Sequence, residues 1–384
     1  MKIIYVTTAI ERDDYKEFSK LWKTSLNPSN QNFHNKMIRA LALNNQVDVI
    51  SIRPFSTRFC NAKVLPEETK VEGNITWHYI KVKGNRFFRP FVIRQEVNKV
   101  MKKIDTKGAI VITDTINPNV IKNTNNIVKK YSTPAIGVLT DSPSNISGTP
   151  RSYTLYLLNQ GKNLNGYIAL TDGLNDLFNE NGKPHVIIEG IVEDLETKPT
   201  SNKYGKYFFF GGALLERYGV YNLIEAFNQL KDPDIKLLIC GHHGDDRRIK
   251  EAINGNDRIQ YLKTLSVKEV LQYEANAFAN INPRPYSQDL DRYSIPSKTI
   301  EYYTSGQVTI SADSSKLNKY FNGCTVWCGY AKVEELVAAM NKVLKMDESK
   351  RIEMGEKAKI KAQELYSLSS VNKKLNKFLA QFSK

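Results

Sequence analysis

Short apolar segments alternate with helix-like segments along this chain, and the alternation starts again after a polar stretch at residues 193–206. Strands that are joined by helices imply a parallel sheet, because a crossover is needed to return the chain to the same end of the sheet. A chain of 384 residues also exceeds one ordinary hydrophobic core. The sequence therefore predicts two α/β domains, at residues 1–192 and 207–365, separated by a linker at 193–206.

Charge and cysteine content limit the partners and the compartment. The net charge of +15 favours anionic partners such as phospholipid headgroups or phosphorylated substrates. Nucleic acid is not expected, because no recognised nucleic-acid module accompanies the charge. The four cysteines show no disulfide or zinc pattern, which is typical of a reducing cytoplasm. No apolar run approaches the ~20 residues that span a bilayer, so we predict a cytoplasmic protein, either soluble or peripheral on the inner face of the membrane.

The first domain carries polar residues where ligands bind in open α/β sheets, beyond the carboxyl ends of the strands. Asp114, Asp141 and Asp172 each follow an apolar strand, and Asp172 also suits a helix N-cap. Asn30 and Asn32 lie in a polar stretch, ending at residue 32, that we interpret as the loop after the first strand. They could hydrogen-bond sugar hydroxyls or serve equally well as turn and N-cap residues.

Residues 81–94 interleave cations with apolar and aromatic side chains. Such a segment can lie at a membrane interface, with aromatic rings at the acyl boundary and cations on anionic lipid. The alternative is a helix that faces the core and has a solvated basic edge.

The second domain opens with a strand, a glycine loop and a helix, in which Gly211 and Gly212 follow Tyr207–Phe210. Backbone N–H groups can approach a phosphate where no Cβ intervenes, and Arg217 could add charge. The next strand runs into Gly241, His242 and His243. A metal site is not predicted there, because adjacent histidines point apart and no third ligand group is evident.

The stretch from Asn282 to Ser311 predicts a polar loop, a short helix and a strand. Pro296 suits the first helical turn, and Gly306 suits the left-handed residue that closes a helix. Ser297, Lys298 and Glu301 share one helix face. A lysine could attract phosphates and a carboxylate could accept hydrogen bonds from ribose hydroxyls. The alternative is an ordinary amphipathic helix with an intrahelical Lys–Glu pair.

Three segments occur in an order that resembles the GT-B glycosyltransferases, and in particular glycosyltransferase family 4. They are Phe210-Gly-Gly with Tyr218 to Phe227, Lys236 to Gly241, and Ile295-Pro-Ser-Lys-Thr-Ile-Glu-Tyr-Tyr-Thr-Ser-Gly306. The resemblance implies two Rossmann-like domains that face each other across a cleft. It also implies a C-terminal helix, residues 366–384, that packs back towards the N-terminal domain.

The resemblance also assigns roles to residues of this chain. The implied donor-binding residues are Gly211, Gly212, Arg217, Gly241, His242, Lys263, Thr264, Ser297, Lys298 and Glu301. Among these, Glu301 would bind the ribose, Lys298 or Arg217 the diphosphate, and the base would lie near Gly241, His242, Lys263 and Thr264. The implied acceptor-side residues are Asn30, Asn32, Asp114 and Asn117. Asp141 stands where many relatives have an acceptor-side histidine or acid, so we predict it as the catalytic residue.

The sequence departs from the family pattern in the loop before the donor helix. Tyr293 occupies the position of the family's first glutamate, which lies beside the donor sugar. We predict that Arg284, Tyr286, Asp289 and Tyr293 form the donor-sugar loop, with Asp289 and Asp291 as the nearby acids.

We therefore expect a retaining, metal-independent hexosyltransferase that uses a UDP- or GDP-sugar and no cofactor. The basic first domain suggests a glycan, lipid-linked or polyanionic acceptor in surface polysaccharide biosynthesis, with an anionic membrane surface as a further partner. The alternatives are a catalytically silent sugar- or RNA-binding protein on the same scaffold, or another GT-B enzyme such as an epimerase or a phosphorylase.

Overall fold

The computed structural model describes residues 1–23, 28–83, 87–145, 150–193, 203–242 and 244–383. Three predicted features lie partly or wholly outside these ranges, namely residues 84–86 of the basic segment, His243, and most of the predicted linker. The chain divides into two compact units. Unit 1 comprises Met1–Ile191, Arg292–Ser294 and Leu368–Lys384, and unit 2 comprises Val192–Asp291 and Ile295–Ser367.

Unit 1 is an α/β unit built around one large sheet. Its elements are β1 (Lys2–Thr7), α1 (Arg12–Lys20), α2 (Pro28–Ala42), β2 (Gln46–Ser51), β3 (Val64–Leu65), β4 (Glu68–Glu72), β5 (Ile75–Tyr79), β6 (Val82–Lys83), α3 (Arg89–Met101), β7 (Ala109–Asp114), α4 (Pro118–Tyr131), β8 (Ala135–Leu139), α5 (Arg151–Gly161), β9 (Gly166–Ala169), α6 (Asp172–Phe178), β10 (His185–Ile187) and the C-terminal α15 (Leu368–Leu379).

The described strands of the unit 1 sheet run in the order β10-β9-β8-β7-β1-β2-β5-β4. All neighbours pair in parallel except β4 and β5, which are antiparallel. Strands β1, β7 and β8 are buried almost throughout, as expected for a parallel sheet that is covered on both faces. Their carboxyl ends meet at one edge, so residues just after β1, β7 and β8 lie close together.

Two local predictions in unit 1 were wrong. The segment interpreted as a loop before residue 33 contains helix α1, and α2 already begins at Pro28, which suits a first helical turn. Asn30 and Asn32 therefore lie on a helix. The N-cap of α6 is Thr171, whose hydroxyl accepts from the Leu174 N–H at 3.1 Å, so Asp172 is the first helical residue and not the cap.

Two distant pieces of chain complete unit 1. The apolar face of α15 contributes Val371, Leu375, Phe378 and Leu379 to the unit 1 core. Residues 292–294, which the sequence division assigned to the second domain, also belong here. Tyr293 packs against the same core, and the Thr171 hydroxyl donates to the Arg292 carbonyl at 2.8 Å. These contacts explain why the short segment belongs to unit 1.

Unit 2 repeats the α/β pattern. Its elements are β11 (Tyr207–Ala213), α7 (Val220–Asn228), β12 (Lys236–His242), α8 (Asp246–Ile253), β13 (Ile259–Tyr261), α9 (Val267–Asn276), β14 (Ala279–Asn282), α10 (Gln288–Tyr293, whose last two residues belong to unit 1), α11 (Ser297–Tyr303), β15 (Thr309–Ser311), α12 (Ser315–Phe321), β16 (Thr325–Trp327), α13 (Val333–Leu344) and α14 (Glu348–Tyr366).

The described strands of the unit 2 sheet run in the order β13-β12-β11-β14-β15-β16 and pair in parallel throughout. The order reverses beside β11, whose neighbours are β12 and β14. Such a switch point is where open α/β sheets bind ligands. Ser266 caps α9 in a capping box with Glu269. Gly306 follows α11 with a φ of 74°, the left-handed conformation that the sequence predicted for it.

The C-terminal region contains helices α14 and α15, and α15, which begins at Leu368, corresponds to the C-terminal helix predicted at residues 366–384. The chain leaves helical geometry at Ser367, which has a ψ of 153°. Val192 donates to the carbonyl of Tyr366 at 2.8 Å beside this break. The break ends α14 within unit 2 and starts α15 within unit 1.

Candidate functional site

The carboxyl edge of β11 and β12 in unit 2 forms the base of the candidate donor site. In the strand register Gly211 lies opposite Cys240, and Gly212 lies opposite Gly241. Gly241 has a φ of 155°, and a Cβ built there would lie 1.7 Å from the Gly212 carbonyl oxygen. Only glycine fits at position 241, so the facing pair Gly212 and Gly241 keeps the strand ends close together with no side chain between them.

Lys263 and Thr264 flank Gly241, as expected for the predicted base-binding group. The Gly241 N–H donates to the Lys263 carbonyl at 2.9 Å, and the Thr264 hydroxyl donates to the Gly241 carbonyl at 2.9 Å. Lys263 adopts a φ of 57°, which is uncommon for a residue with a side chain. His242 is half-buried at the end of β12. The structure thus brings Gly241, His242, Lys263 and Thr264 together.

Helix α11 is attached to the β11 edge through Tyr302. The Gly211 N–H donates to the Tyr302 hydroxyl oxygen at 3.0 Å, and that hydroxyl lies 3.3 Å from the Gly211 carbonyl. Burial raises the pKa of Tyr302, so the phenol stays protonated at neutral pH. Ser297 begins this helix and Pro296 is its N-cap residue, one position before the first turn that the sequence indicated.

Lys298 lies between two carboxylates. Its ammonium is 3.0 Å from Glu301 Oε2, within the helix, and 3.8 Å from Oε1 of Glu274 in α9. Burial lowers the pKa of Lys298, but Glu301 and Glu274 outweigh this effect and leave the pKa raised, so the lysine stays charged. About a third of the Lys298 side chain is exposed (34%), whereas Glu274 is 1% exposed. The exposed part of the Lys298 ammonium can therefore bind an anion from solution while buried Glu274 keeps the lysine in position.

Glu274 was not predicted from the sequence. It stands on the buried side of α9, next to buried Ala275. A glutamate on the apolar face of a helix is rare unless it is paired. Its position on that face was therefore the one sequence feature that could have indicated a cationic partner. Its distance to Lys298 follows from the packing of α9 beside α11, which sequence spacing does not reveal.

Cys240 lies near the charged side chains of Lys298, Glu274 and Glu301, and its thiol is unreactive. Burial raises its pKa to about 12, Lys298 acts in the opposite direction, and Glu274 and Glu301 reinforce burial. The thiol is therefore protonated at neutral pH and is not a nucleophile. Cys240 and Tyr302 of α11 belong to the same buried apolar cluster, so the helix that carries Lys298 packs beside β12.

Two arginines share one aromatic ring in the loops that follow β11 and β14. The guanidinium of Arg217 lies 5.2 Å from the centroid of Tyr218, and that of Arg284 lies 6.0 Å from it. Gly219 has a φ of 78°, and a Cβ there would lie 1.9 Å from the Pro283 carbonyl oxygen. This backbone contact brings the predicted phosphate loop against the predicted donor-sugar loop.

The other residues of the predicted donor-sugar loop have different surroundings and do not form one group. Tyr286 packs edge-on against Tyr330, with centroids 5.6 Å apart. Asp289 is exposed near the start of α10. Asp291 accepts from the Ser315 N–H at 3.1 Å and from its hydroxyl, so its carboxylate holds the start of α12. Tyr293 belongs to unit 1 and is not grouped with the donor-side residues of unit 2.

A buried polar cluster lies at the carboxyl edge of β7 and β8 in unit 1. Asn30 donates to Asp114 Oδ2 at 3.4 Å and accepts from the Thr140 hydroxyl at 3.3 Å. His34 Nε2 lies 3.7 Å from the same Asp114 oxygen, and its Nδ1 shares a 2.7 Å hydrogen bond with the Tyr5 hydroxyl. Burial lowers the pKa of His34 more than Asp114 raises it, so the imidazole is neutral at pH 7.

The cluster contains two of the predicted acceptor-side residues and several that sequence reasoning missed. Asn30 and Asp114 are within it, but Asn32 points away on the exposed side of α2. Asn117 is the N-cap of α4, accepting from Asn119 and Val120, so its side-chain oxygen already serves the helix. His34, the most informative omission, lies four residues after Asn30 and shares its helix face. Recognising that α2 starts at Pro28 would have exposed this spacing.

Asp141, the predicted catalytic residue, is half-buried just after β8, and its Oδ1 accepts from the Ser142 N–H at 2.8 Å. It follows Thr140 directly and is therefore adjacent in the chain to the buried cluster. Asp141 and Asp114 stand at the same edge of the unit 1 sheet because β7 and β8 are parallel neighbours.

Within the described ranges, no group of three or more His, Cys, Asp or Glu side chains is arranged to hold a metal ion. The acids near His242 have other partners. Asp245 is the N-cap of α8, and Asp246 accepts from the Tyr261 hydroxyl at 2.7 Å. Across the same part of the chain, no helix is both long and apolar enough to cross a bilayer.

Comparison with known proteins gives one family model that matches part of the chain and several solved structures with a similar fold. Residues 192–361 match the family model described as glycosyl transferases group 1. A sucrose-phosphate synthase from Thermosynechococcus elongatus has a similar structure, with 12% identity, a TM-score of 0.72 and 99% coverage of both chains. A structure described as trehalose-6-phosphate from E. coli bound with UDP-2-fluoro glucose gives 11% identity and a TM-score of 0.70, with 100% of this chain and 99% of that chain covered. Curated protein sequences give no match.

HepE from Anabaena, in complex with UDP, is also similar, with 13% identity, a TM-score of 0.65, and coverage of 99% of this chain and 100% of that one. Because these similarities extend over essentially whole chains, the protein has the GT-B fold, and the fold class predicted from the sequence is confirmed. The family model matches unit 2 almost alone. The narrower assignment to glycosyltransferase family 4 stays a prediction.

Proposed function

We propose that this protein is a nucleotide-sugar glycosyltransferase, a retaining hexosyltransferase of the family 4 type, with its donor site on unit 2. The observation that carries the proposal is the group formed by Lys298 and Glu301 on a helix hydrogen-bonded to Gly211. The glycosyl transferases group 1 match covers the same residues and supports it. The UDP-containing neighbours make UDP-sugars the first donors to test, followed by GDP-sugars.

In this proposal the exposed part of Lys298 meets the donor diphosphate. An incoming phosphate offers the ammonium new charge-assisted hydrogen bonds. Glu301 then turns its carboxylate to the ribose hydroxyls, and buried Glu274 keeps Lys298 in position. The edge at Gly211 and Gly212 admits the donor closely, because no side chain occupies it. Gly241, His242, Lys263 and Thr264 would line the base.

The leaving nucleotide gains negative charge as the sugar departs. Fixed cations that face that charge lower the barrier by several kcal/mol in enzymes of this kind. Arg217 and Arg284 are suitable, because stacking on Tyr218 restricts both side chains. Together with Lys298 they would supply the electrostatic stabilisation that other transferases obtain from a metal ion, so the proposed reaction is metal-independent.

The acceptor is proposed to bind at the polar cluster of unit 1. Half-buried Asn30 carries an amide that can orient acceptor hydroxyls, and buried Asp114 holds Asn30 in place. Asp141 is the acid we propose next to the reacting hydroxyl. The net charge of +15 supports a glycan, lipid-linked or polyanionic acceptor in surface polysaccharide synthesis, on the cytoplasmic side of the membrane. Some structural neighbours are named as synthases of sugar phosphates, so glucose 6-phosphate belongs in the acceptor panel.

The test begins with donor binding, measured by calorimetry with UDP, GDP and their hexose derivatives. Glu301→Gln should weaken nucleotide binding about tenfold or more, because a hydrogen bond to a charged group contributes about 1.5–3 kcal/mol. Glu353→Gln and Lys357→Met are matched controls, since Glu353 and Lys357 form an exposed Lys–Glu pair on α14 of the same unit. Wild-type affinity in Glu301→Gln would contradict the ribose assignment.

Turnover is then followed by release of nucleoside diphosphate, with and without a chelator, and the anomeric configuration of the product is read by NMR. Transfer with retained configuration in the presence of EDTA is expected. Loss of transfer in EDTA would overturn metal independence, and an inverted product would overturn retention.

A silent binding protein on the same fold is the second candidate. Two observations favour it. Position 293 carries a tyrosine where members of the resembling family carry an acid, and Asp291, a nearby acid, is already hydrogen-bonded to Ser315. Tight nucleotide binding without hydrolysis or transfer across the donor and acceptor panels would support this candidate and contradict the transferase.

A further inference from the structure

Three phenylalanines stand exposed at the start of α3 in unit 1. Phe87 is 83% exposed, Phe88 is 69% exposed and Phe91 is 61% exposed. Among the described residues the only other exposed phenylalanine is Phe59, in the neighbouring loop. Single exposed apolar residues are ordinary, but a contiguous group of large rings marks a surface that meets an apolar partner.

These rings are not needed to hold α3 in place. The helix packs through Ile93, Val97 and Met101, which are buried in the unit 1 core. Phe91 and exposed Arg94, three residues apart, lie on another face of α3, and Phe87 and Phe88 directly precede the helix. The helix therefore has a core-facing stripe and a separate aromatic and basic face, which combines the two alternatives that the sequence left open.

The chain segments on either side of the aromatic group are rich in cations. Residues 53–66 and 79–95 together contain eight lysines and arginines and no aspartate or glutamate. The two segments adjoin each other, because Val64 pairs with Lys83 across the β3–β6 ribbon. Arg89, in the first turn of α3, also donates to the Phe55 carbonyl at 2.9 Å. Lys83, Arg94 and Arg58 are exposed in this region.

We propose that this basic aromatic surface, defined by Phe87, Phe88, Phe91, Lys83, Arg94 and Arg58, binds an anionic lipid bilayer. The rings would enter the boundary between headgroups and acyl chains, and the cations would lie on anionic headgroups. A second copy of the chain is disfavoured as the occupant, since two such cationic surfaces repel each other. Nucleic acid is disfavoured because three apolar rings, 61–83% exposed, occupy this surface, whereas binding to nucleic acid rests mainly on cations that contact phosphates.

Neither signal alone gives stable attachment. A short apolar group binds a bilayer only marginally, and a few cations bind only at low salt, so stable binding needs both. The inference does not rest on the proposed transferase activity, because lipid binding is measured on the full-length protein without nucleotide.

The experiment is flotation of the protein with phosphatidylcholine vesicles that contain 0 or about 30% phosphatidylglycerol, a range in which each added cation matters. Three variants are compared with wild type: Phe87→Ser/Phe88→Ser/Phe91→Ser, Arg58→Gln/Lys83→Gln/Arg94→Gln, and the control Lys122→Gln/Lys129→Gln/Lys373→Gln, which removes three exposed lysines elsewhere on unit 1. A second control, Ile352→Ser/Ile360→Ser, removes two exposed apolar residues of α14.

Wild type and both controls should bind the anionic vesicles and not the neutral ones. The phenylalanine and cation variants should each lose at least tenfold in vesicle affinity, with circular dichroism unchanged. Absence of vesicle binding by wild type overturns the proposal, as does equal binding by the phenylalanine variant. Cation-dependent binding to a polyuridine probe that exceeds binding to vesicles, or dimerisation that is lost in the phenylalanine variant without vesicle binding, also overturns it.

Discussion

Removal of Lys298 tests whether Glu274 is a buried charge that the lysine neutralises. In Lys298→Met, the carboxylates of Glu274 and Glu301 lose the ammonium that lies 3.8 Å and 3.0 Å from them. Glu301 is 30% exposed and can be solvated, whereas Glu274 is 1% exposed and cannot. We expect the cost to fall mainly on Glu274.

The distance sets the size of the effect. Two unit charges at 3.8 Å attract by about 4 kcal/mol at an effective dielectric constant of about 20. Removing one partner of a buried pair typically costs about 3–5 kcal/mol. Because a third of Lys298 is exposed and screened, we expect Lys298→Met to lower the unfolding free energy by about 3 kcal/mol.

The second substitution separates charge from packing. In the Lys298→Met background, Glu274→Gln replaces the carboxylate that has lost Lys298 with a neutral side chain of nearly the same shape. Most of the lost stability, about 2 kcal/mol, should return. Glu274→Gln alone should change stability by less than about 1 kcal/mol, since it removes both an attraction and a desolvation cost.

Urea unfolding followed by circular dichroism gives the free energies, and hydrogen exchange of peptides from α9 and α11 locates the change. Lys357→Met, which removes the lysine of the exposed pair on α14, should leave the unfolding free energy almost unchanged, because water solvates both partners. The reasoning is refuted if Lys298→Met/Glu274→Gln unfolds at the same urea concentration as Lys298→Met, or if Lys298→Met costs no more than Lys357→Met.

Two further predictions concern His34 and Gly219. Burial lowers the pKa of His34, so stability is complete above the unfolded value near 6.5 and falls as the pH drops below it, by up to about 1.4 kcal/mol per pH unit. Denaturation between pH 7 and 5 should show this slope in wild type and in His185→Gln, an exposed control, but a smaller slope in His34→Gln; equal slopes would contradict it. Gly219→Ala should lower the melting temperature more than Gly255→Ala, because both positions have positive φ but only Gly219 has a carbonyl oxygen 1.9 Å from the new Cβ. Equal melting temperatures would show that the contact with Pro283 is easily relieved.

Local features of the chain were predictable because they depend on short sequence spacing. The alternation of strands and helices, the glycine after α11 and the shared face of Lys298 and Glu301 all follow from residues within a few positions of one another. The resemblance in the order of segments extended this to the GT-B fold.

Features that depend on distant packing were not predictable in the same way. Tyr302 and Gly211 are separated by 91 positions, yet their hydrogen bonds attach helix α11 to the sheet. The approach of Asn30 to Asp114, 84 positions away, follows from the order of strands β1 and β7 and from a helix that starts earlier than its apolar spacing indicates. Residues 292–294 belong to unit 1 because Tyr293 packs against its core. No local sequence pattern in the loop indicates this packing.

The position of α15 has a consequence for the order in which the protein can be made. The core of unit 1 lacks Val371, Leu375, Phe378 and Leu379 until the last residues of the chain are available. Each fully buried side chain of this kind contributes about 1.5–3 kcal/mol, and the four together are comparable with the whole stability of a typical domain. During synthesis, residues 192–367 emerge from the ribosome while the older half still has an open core. The half that is translated first is therefore the half whose core is completed last.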